Sequence, residues 1–365
     1  MIKAVFWVIT TFCAICLFPG KSIAQSQSLN RFKKAERVLE SMVRKRKVPG
    51  MAITVSKNQQ VVWSKGVGFA DIKKKIPISS EHTVFRIGSI SKPIAAIALL
   101  RGVEKGLIAL DSSIYKYVPY FPKKEYDITV KQLGAHTSGI RSYKGNEFKS
   151  NKPLGIKEGI SFFQNSSLGF KPGTNFTYSS YNWNLISLAI IEQANVAFED
   201  FVKTEVLLPF RMEQTFADKN QNLRGKAVFY QKKGRRRFKP VEKVNNYFKL
   251  ASGGFLSTSQ DINAFGNALL KMLSVSPNRL KEFTTAQKIK INNALTSTYY
   301  GVGFQVSNDS SGRPYFGHIG NALGGYGVFY VYPETNVVIS ILANCSNPNS
   351  QKMYDKLINK IFEVL

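Results

Sequence analysis

The chain has 365 residues, of which 44% are hydrophobic and 20% are charged, so a largely disordered protein is excluded. The length suits one large domain or two interleaved lobes around a substantial core. The formal net charge of +28 favours encounter with anionic partners such as envelope polymers or phospholipid, although a solvated basic face without a dedicated partner explains it equally well.

The N-terminus has the pattern of a secretory signal peptide. Lys3 precedes an apolar run from Ala4 to Phe18, and small residues lead to a predicted cleavage site after Ala24. The run is shorter than the roughly 20 residues that cross a bilayer, and an uncleaved membrane anchor is the alternative. We therefore expect export to the periplasm or the extracellular space, with no transmembrane segment after cleavage. Cys345 is then the sole cysteine, which rules out an intramolecular disulfide.

Strand and helix patterns alternate along the rest of the chain. Predicted elements are, in order, a helix over 29–45, strands over 51–55 and 60–63, a helix over 182–194, strands over 300–306, 324–331 and 337–342, and a helix over 351–364. Because strands lie at both ends, the N-terminal hairpin should complete a sheet formed by the C-terminal third. The pattern predicts one domain over 25–365, with a sheet lobe (about 29–109 and 245–365) and an inserted helical lobe (about 110–244). A cleft between the lobes would be the usual place for a small-molecule or peptide substrate.

The densest basic run extends from Lys232 to Lys239, with Gly234 at the predicted turn. Apolar residues flank it on both sides, so it predicts a basic hairpin tip. An exported protein rarely meets DNA, and we expect no nucleic-acid partner.

Ser89-Ile90-Ser91-Lys92 opens a predicted helix that ends at Gly106. Residues three apart share a helix face, so the Ser89 hydroxyl and the Lys92 amine can lie within hydrogen-bond reach. A lysine partly desolvated there would lose pKa and could act as a base toward the serine. The spacing alone is weak, since Ser113-Ile114-Tyr115-Lys116 has it too and a helix cap followed by a surface lysine is the usual explanation.

Two later elements favour the first serine. Tyr178-Ser179-Ser180 follows a Lys-Pro-Gly-Thr turn, and His318-Ile319-Gly320 precedes a glycine pair. With Ser89 and Lys92 they occur in the order and approximate placement of the Ser-x-x-Lys, Tyr-x-Asn and Lys-Thr-Gly motifs of β-lactamases and penicillin-binding proteins.

The chain resembles the class C β-lactamase-related serine hydrolases over nearly all its length after the leader. Within that group, the segments HTSGIRSYKG, FYQKKGR and ASGGFLST are most similar to the branch that contains the mitochondrial β-lactamase-like serine protease and its bacterial relatives. The segments that carry the resemblance are FRIGSISKP, LGAHTSGI, FKPGTNFTYSSYNWNLI, ASGGFLSTSQDI, YGVGF and GHIGNALGG. The resemblance implies an α+β, β-lactamase/transpeptidase-like fold, in which an antiparallel sheet is flanked by N- and C-terminal helices and carries an inserted helical lobe.

The resemblance also implies roles for individual residues. Ser89 would attack a carbonyl, Lys92 would take its proton, and Tyr178 would protonate the leaving group and later activate water. The backbone N–H groups of Ser89 and Asn321 would form the oxyanion hole, and Gly320 would keep the strand beside the site open. No metal and no cofactor is implied.

Two departures from the antibiotic-hydrolysing pattern concern substrate binding. Ser180 replaces the asparagine that binds a substrate amide, and His318 replaces the lysine that offers a permanent cation to a substrate carboxylate. Both changes disfavour β-lactams and strict carboxypeptidase substrates. A core role for Tyr178 and a structural role for His318 stay open, and His136 is interpreted as a structural residue.

The leading hypothesis is therefore an exported, peptidase-like serine hydrolase that acts on peptides or D-amino-acid-containing substrates. The alternatives are an esterase or amidase, a weak β-lactamase, and a cell-wall-binding protein that keeps the fold without turnover. The sequence leaves the physiological substrate and the oligomeric state open.

Overall fold

The computed structural model describes residues 31–365 except 236, 292–293 and 347, so the predicted signal peptide lies outside the described residues. The α-helices are α1 (Lys33–Arg44), α2 (Ser91–Glu104), α3 (Ile114–Tyr117), α4 (Val130–Gly134), α5 (Tyr181–Ala194), α6 (Phe198–Val202), α7 (Leu250–Gly253), α8 (Ser259–Val275), α9 (Pro277–Thr284) and α10 (Gln351–Phe362). The strands are β1 (Gly50–Lys57), β2 (Gln60–Asp71), β3 (Ile76–Pro77), β4 (Phe85–Arg86), β5 (Phe216–Ala217), β6 (Tyr230–Lys233), β7 (Arg237–Pro240), β8 (Phe255–Ser257), β9 (Lys288–Ile291), β10 (Ala294–Ser297), β11 (Gln305–Asn308), β12 (Pro314–Ala322), β13 (Gly325–Tyr332) and β14 (Val337–Ala343).

The main sheet joins the two ends of the chain. Its strand order is β11-β12-β13-β14-β1-β2-β3, and each neighbouring pair is antiparallel. The junction is the pair β1 and β14, in which Met51 lies opposite Ala343 and Lys57 opposite Val337. This arrangement confirms the predicted α+β fold, with the N-terminal hairpin completing a sheet from the C-terminal third.

Helices cover both faces of the sheet because its central strands are apolar on both sides. In β1, Met51 and Ile53 pack into one core with α1 and α10, whereas Ala52 packs into the other with α2, α5 and α8. Thr54 also faces the second core, and its hydroxyl bonds that of Ser259 at the start of α8. The period of two along the strand thus assigns alternate residues to two separate cores.

Helix α2 is the central buried element of the second core. Its residues from Ile94 to Leu99 are all buried, so this part of the helix has no solvent face. Pro93 lies in its first turn, where the missing N–H removes no helical hydrogen bond. A helix held on every side gives the residues at its N-terminus a fixed position.

The structure tests two further predicted elements, the strand over 300–306 and the basic hairpin. The strand expected over 300–306 begins only at Gln305, because Gly303 within the predicted span takes a left-handed backbone conformation with φ 84°. The predicted basic hairpin is present, since β6 pairs with β7 in the register Lys233 opposite Arg237. Among the described residues, no helix is both long and apolar enough to cross a membrane.

Candidate active site

Ser89 lies in the 3₁₀ turn Gly88–Ile90, which leads directly into α2. Glycine is required at 88, because φ is +53° and a Cβ there would lie 2.7 Å from the carbonyl oxygen of Asn321 on β12. Gly320 on β12 permits the same close approach, since a Cβ added at this position would lie 1.9 Å from the carbonyl oxygen of Ile87. The two glycines let the serine turn and β12 approach at backbone distance, so the space that Gly320 leaves is filled by the Ile87 carbonyl.

Lys92 is completely buried and faces three oxygen atoms. Its Nζ lies 3.2 Å from Ser89 Oγ, 3.2 Å from Ser180 Oγ and 2.7 Å from the carbonyl oxygen of Ser252. Burial lowers the pKa of Lys92 well below its usual value, and the positive charge of Lys249 lowers it further. A neutral amine has two N–H donors and one lone pair, which match donation to Ser252 and Ser180 and acceptance from the Ser89 hydroxyl.

Tyr178 approaches the same hydroxyl from the segment before α5. Its O–H donates to Ser89 Oγ at 2.8 Å, and Lys92 Nζ lies 4.8 Å from the centre of its ring. Burial raises the pKa of Tyr178, so the phenol keeps its proton at neutral pH. Ser89 therefore has a proton donor on one side and an amine on the other.

His136 contacts this site through Tyr178, with ring centroids 4.3 Å apart. Its Nδ1 accepts from the backbone N–H of Ser179 at 3.2 Å and lies 3.2 Å from the Asn182 side-chain amide. Burial lowers the pKa of His136 well below its usual value, so the ring is neutral. These contacts place His136 behind the tyrosine, as a support for the segment that carries it.

His318 on β12 is 1% exposed, and both of its ring nitrogens are engaged. Nδ1 lies 2.7 Å from the carbonyl oxygen of Ile319, which can only accept, so Nδ1 carries the proton. Nε2 then accepts from the Tyr300 hydroxyl at 2.8 Å. Burial, and next the charge of Lys92, lower the pKa of His318 to about 3. A direct contact with substrate would require breaking one of these hydrogen bonds.

The cleft in front of Ser89 has a volume of about 470 Å³. Its lining residues are Ser89, Ser142, Tyr143, Phe148, Lys149, Tyr178, Ser180, Gln231, Asn246, Lys249, Ser252, Gly253, Asn321, Ala322, Leu323 and Ser346. Of the predicted site residues, Ser89, Tyr178, Ser180 and Asn321 line this cleft. Lys92 lies beneath it, and His318 and Gly320 are not part of its wall.

Among the cleft residues that the sequence did not single out, two have shifted pKa values. Tyr143 has a pKa that burial raises to about 12, and Ser180 and Ser252 hydrogen-bond its hydroxyl. Lys249 is 8% exposed, and its pKa is lowered to about 7 by burial and the neighbouring charge of Arg86. Tyr143 lies in the segment HTSGIRSYKG and Lys249 lies two residues before ASGG, but neither was singled out as a site residue.

The second serine-lysine pair has a different setting. Ser113 caps α3 by accepting from the N–H of Tyr115, and its hydroxyl donates to Asp127. Lys116 lies over the ring of Tyr117, 5.4 Å from its centre. The pair is thus a helix cap and a separate lysine. No group of three or more metal-binding side chains occurs in the part of the chain that the structure describes.

Comparison with known proteins agrees with this architecture. The Beta-lactamase family matches residues 35–360. The mitochondrial serine beta-lactamase-like protein LACTB of Homo sapiens is 31% identical over 61% of this chain and 53% of its own length, so the chain spans about half of that relative. Protein flp of Staphylococcus aureus strain N315 is 24% identical over 89% of this chain and 66% of its own length.

Solved structures show the same fold. The octameric penicillin-binding protein homologue of Pyrococcus abyssi is 26% identical, with a TM-score of 0.77 over 90% of this chain and 77% of that one. The D-amino acid amidase of Ochrobactrum anthropi is 20% identical, with a TM-score of 0.79 over 92% of this chain and 99% of that one, and shows the fold alone. The chain belongs to the Beta-lactamase family, whose members are serine hydrolases.

Proposed function

We propose that the chain hydrolyses amide or ester bonds through an acyl-enzyme on Ser89. The observation that carries the proposal is the position of Ser89 Oγ, 2.8 Å from Tyr178 Oη and 3.2 Å from Lys92 Nζ. A serine hydroxyl is a weak nucleophile until a neighbouring base takes its proton. Lys92, with its lowered pKa, is that base.

The reaction follows from the protonation states. Ser89 Oγ attacks the substrate carbonyl while its proton passes to Lys92 Nζ, and the backbone N–H groups of Ser89 and Asn321 stabilise the oxyanion. Tyr178 gives its proton to the leaving nitrogen or oxygen as the carbonyl carbon expels it, and regains a proton from Lys92. Water then attacks the acyl-enzyme, with the same groups moving the protons in reverse order.

Peptides and D-amino-acid amides are the substrates that we propose first, with esters as the second class. A cleft of about 470 Å³ that opens to solvent accommodates a peptide fragment. Penicillins should be poor substrates, because His318 is neutral and Ser180 has a shorter reach than asparagine. With the predicted signal peptide, this function belongs to the cell envelope or the exterior, where anionic polymers would meet the basic surface.

Intact-mass spectrometry after treatment with a fluorophosphonate and, separately, with a penicillin tests the proposal. We expect one fluorophosphonate adduct on the wild-type chain, none on Ser89→Ala, and an unchanged adduct on the control Ser113→Ala. Penicillin should give slow or incomplete labelling at the same residue. Labelling that persists in Ser89→Ala would exclude Ser89 as nucleophile, and a wild-type chain that neither labels nor turns over any ester or amide would favour the non-catalytic, wall-binding alternative.

A further inference from the structure

The cleft is lined by cations and by no carboxylate. Lys149 and Lys249 belong to its wall, Lys92 lies beneath Ser89, and no aspartate or glutamate is among the described lining residues. Lys149 is exposed, whereas Lys249 is 8% exposed and is the last residue of the 3₁₀ turn Tyr247–Lys249, which leads into α7. A lysine held in a cleft wall with so little contact to water needs a partner.

The protein satisfies only part of the hydrogen-bonding capacity of the Lys249 ammonium group. Its Nζ donates to the carbonyl oxygen of Phe148, which also lines the cleft, and lies 5.4 Å from the centre of the Phe248 ring. An ammonium carries three donors, so this bond leaves capacity for a ligand in the cleft. Within the described residues, Lys249 forms no ion pair.

The nearest buried carboxylate is already satisfied. Asp218 accepts from Arg86 Nε at 2.8 Å and from Asn246 Nδ2 at 2.7 Å, and Lys226 Nζ lies 3.6 Å away. Asp218 raises the pKa of Lys249, but the opposing effects of burial and of Arg86 are larger. An anion that entered the cleft would relieve both the desolvation and the charge repulsion at Lys249.

We propose that Lys249 binds a carboxylate of the substrate, so that the preferred acyl donors are peptides, amides or esters with a free carboxylate close to the scissile bond. This inference rests on the proposed function, because the same cleft must hold the reacting carbonyl at Ser89. Lys249 would supply a cation from the 3₁₀ turn Tyr247–Lys249 and not from β12, the strand on which a lysine in place of His318 would bind a β-lactam carboxylate, so penicillins are still expected to be poor substrates. A charge-assisted hydrogen bond in a half-closed cleft distinguishes an anionic from a neutral substrate by about tenfold.

The kinetic test uses two aryl esters that differ only in a terminal carboxylate or its methyl ester. We expect the ratio of kcat/KM for the anionic and neutral esters to fall about tenfold in Lys249→Met and to be kept in Lys249→Arg. Lys149→Met, on the exposed rim of the same cleft, should change the ratio less than about twofold because solvent screens its charge. Lys249 also affects the pKa of Lys92, and the ratio cancels that effect since both esters use the same base.

The pH dependence in the wild type supplies a second readout. Lys249 loses its charge as the pH rises through about 7, so the preference for the anionic ester should be complete near pH 6 and weak near pH 8.5. Arg86, Asp218 and Lys92 interact electrostatically with Lys249, and Tyr143, Lys149 and Tyr178 line the same cleft. Lys92 acts on both esters alike as the base, and the pKa values of Tyr143 and Tyr178 are raised. A preference that persists to pH 8.5 contradicts the proposal.

A binding measurement separates this inference from the proposed function. Calorimetry on Ser89→Ala compares the hydrolysis product that has the terminal carboxylate with the same product in which that terminal carboxylate is a primary amide. The terminal carboxylate should bind more tightly, and the added change Lys249→Met should abolish the difference. Equal binding of the two, or an unchanged kinetic ratio in a Lys249→Met variant that still hydrolyses the neutral ester, overturns the role of Lys249 and leaves the acyl-enzyme intact. Carboxylate-selective binding without any turnover by the wild type would instead overturn the proposed function alone.

Discussion

The Nζ atom of Lys92 lies 2.7 Å from the backbone carbonyl oxygen of Ser252, on a segment 160 residues further along the chain. A carbonyl oxygen can only accept, so one N–H of the amine points away from Ser89. The second contact of Nζ, with Ser180, comes from a third segment. The orientation of the proposed base is therefore fixed by tertiary structure as well as by its spacing from the serine.

The first prediction concerns the pH dependence of acylation. Because burial lowers the pKa of Lys92, kcat/KM for a neutral ester should rise with pH and reach its plateau well below pH 10.5. Lys92→Arg keeps the charge but cannot lose it, so we expect a loss of about 10²–10⁴-fold at every pH. Stopped-flow measurement of the acylation rate from pH 5 to 10 checks both. An Arg variant with near-normal rates would show that the amine takes no proton.

The second prediction is that Lys92 and Tyr178 act as one unit. Each contacts Ser89 Oγ directly, so Lys92→Ala and Tyr178→Phe should each lower kcat by orders of magnitude. The double variant should be much less impaired than the product of the two losses, since either change interrupts the same proton path. Phe176→Leu, a change two residues before the tyrosine that removes no hydroxyl, is the control. Multiplicative losses would mean that the two residues act in separate steps.

A third prediction concerns the buried ion pair of Arg86 and Asp218, whose side chains are 4% and 0% exposed. Asp218→Asn should lower the free energy of unfolding by about 3–5 kcal/mol, because it leaves the Arg86 guanidinium buried without a countercharge. Asp200→Asn at an exposed position should change it by less than about 0.5 kcal/mol. Urea unfolding at pH 7 measures both. Equal effects would show that the pair adds no stability.

The pH dependence of that pair has a defined sign. Asp218 has a lowered pKa because Arg86, Asn246 and Lys226 favour its charged form against the effect of burial. Its contribution to stability is therefore present above the pKa of the unfolded chain and is lost as the pH falls through the folded value. Asp218→Asn should accordingly show a smaller loss of stability on acidification than the wild type does.

Local patterns predicted the elements that carry the sheet. The strands β1 and β14 can be recognised in the sequence because successive side chains along them pack into opposite cores. The predicted bounds of 337–342 fall within the observed Val337–Ala343. The left-handed conformation of Gly303 was not predicted. Glycine takes either sign of φ, so the sequence did not show that the strand is broken there, and the strand over 300–306 was placed too early.

For the site, spacing and motif order pointed to residues that the fold brings together, but not to their surroundings. Ser89, Lys92 and Tyr178 meet at hydrogen-bond distance. Lys249 could not be placed in the same cleft from the sequence, because its position depends on how α7 packs against α2. The hydrogen bond from Tyr300 to His318 could not be predicted either, because it depends on the irregular path of the chain before β11.

The last prediction tests whether His318 is neutral in the folded protein. Its pKa is lowered to about 3, against about 6.5 in an unfolded chain, mainly because the ring is buried and then because Lys92 is near. Between these values the unfolded chain binds a proton that the folded chain does not, so stability falls as the pH drops below about 6.5. The linkage amounts to about 2 kcal/mol between pH 7.5 and pH 5, at 1.36 kcal/mol per pH unit. His318→Gln removes this titration, and its free energy of unfolding should therefore change less over that interval, by about 2 kcal/mol, than that of the wild type.

His136 and the carboxylates titrate in both proteins and cancel in the comparison, and His82→Gln at an exposed position is the matched control. If His318→Gln loses as much stability as the wild type between pH 7.5 and pH 5, the histidine binds its proton in the folded state too. It would then carry a positive charge beside Lys92, and the reason for expecting weak penicillin turnover would disappear.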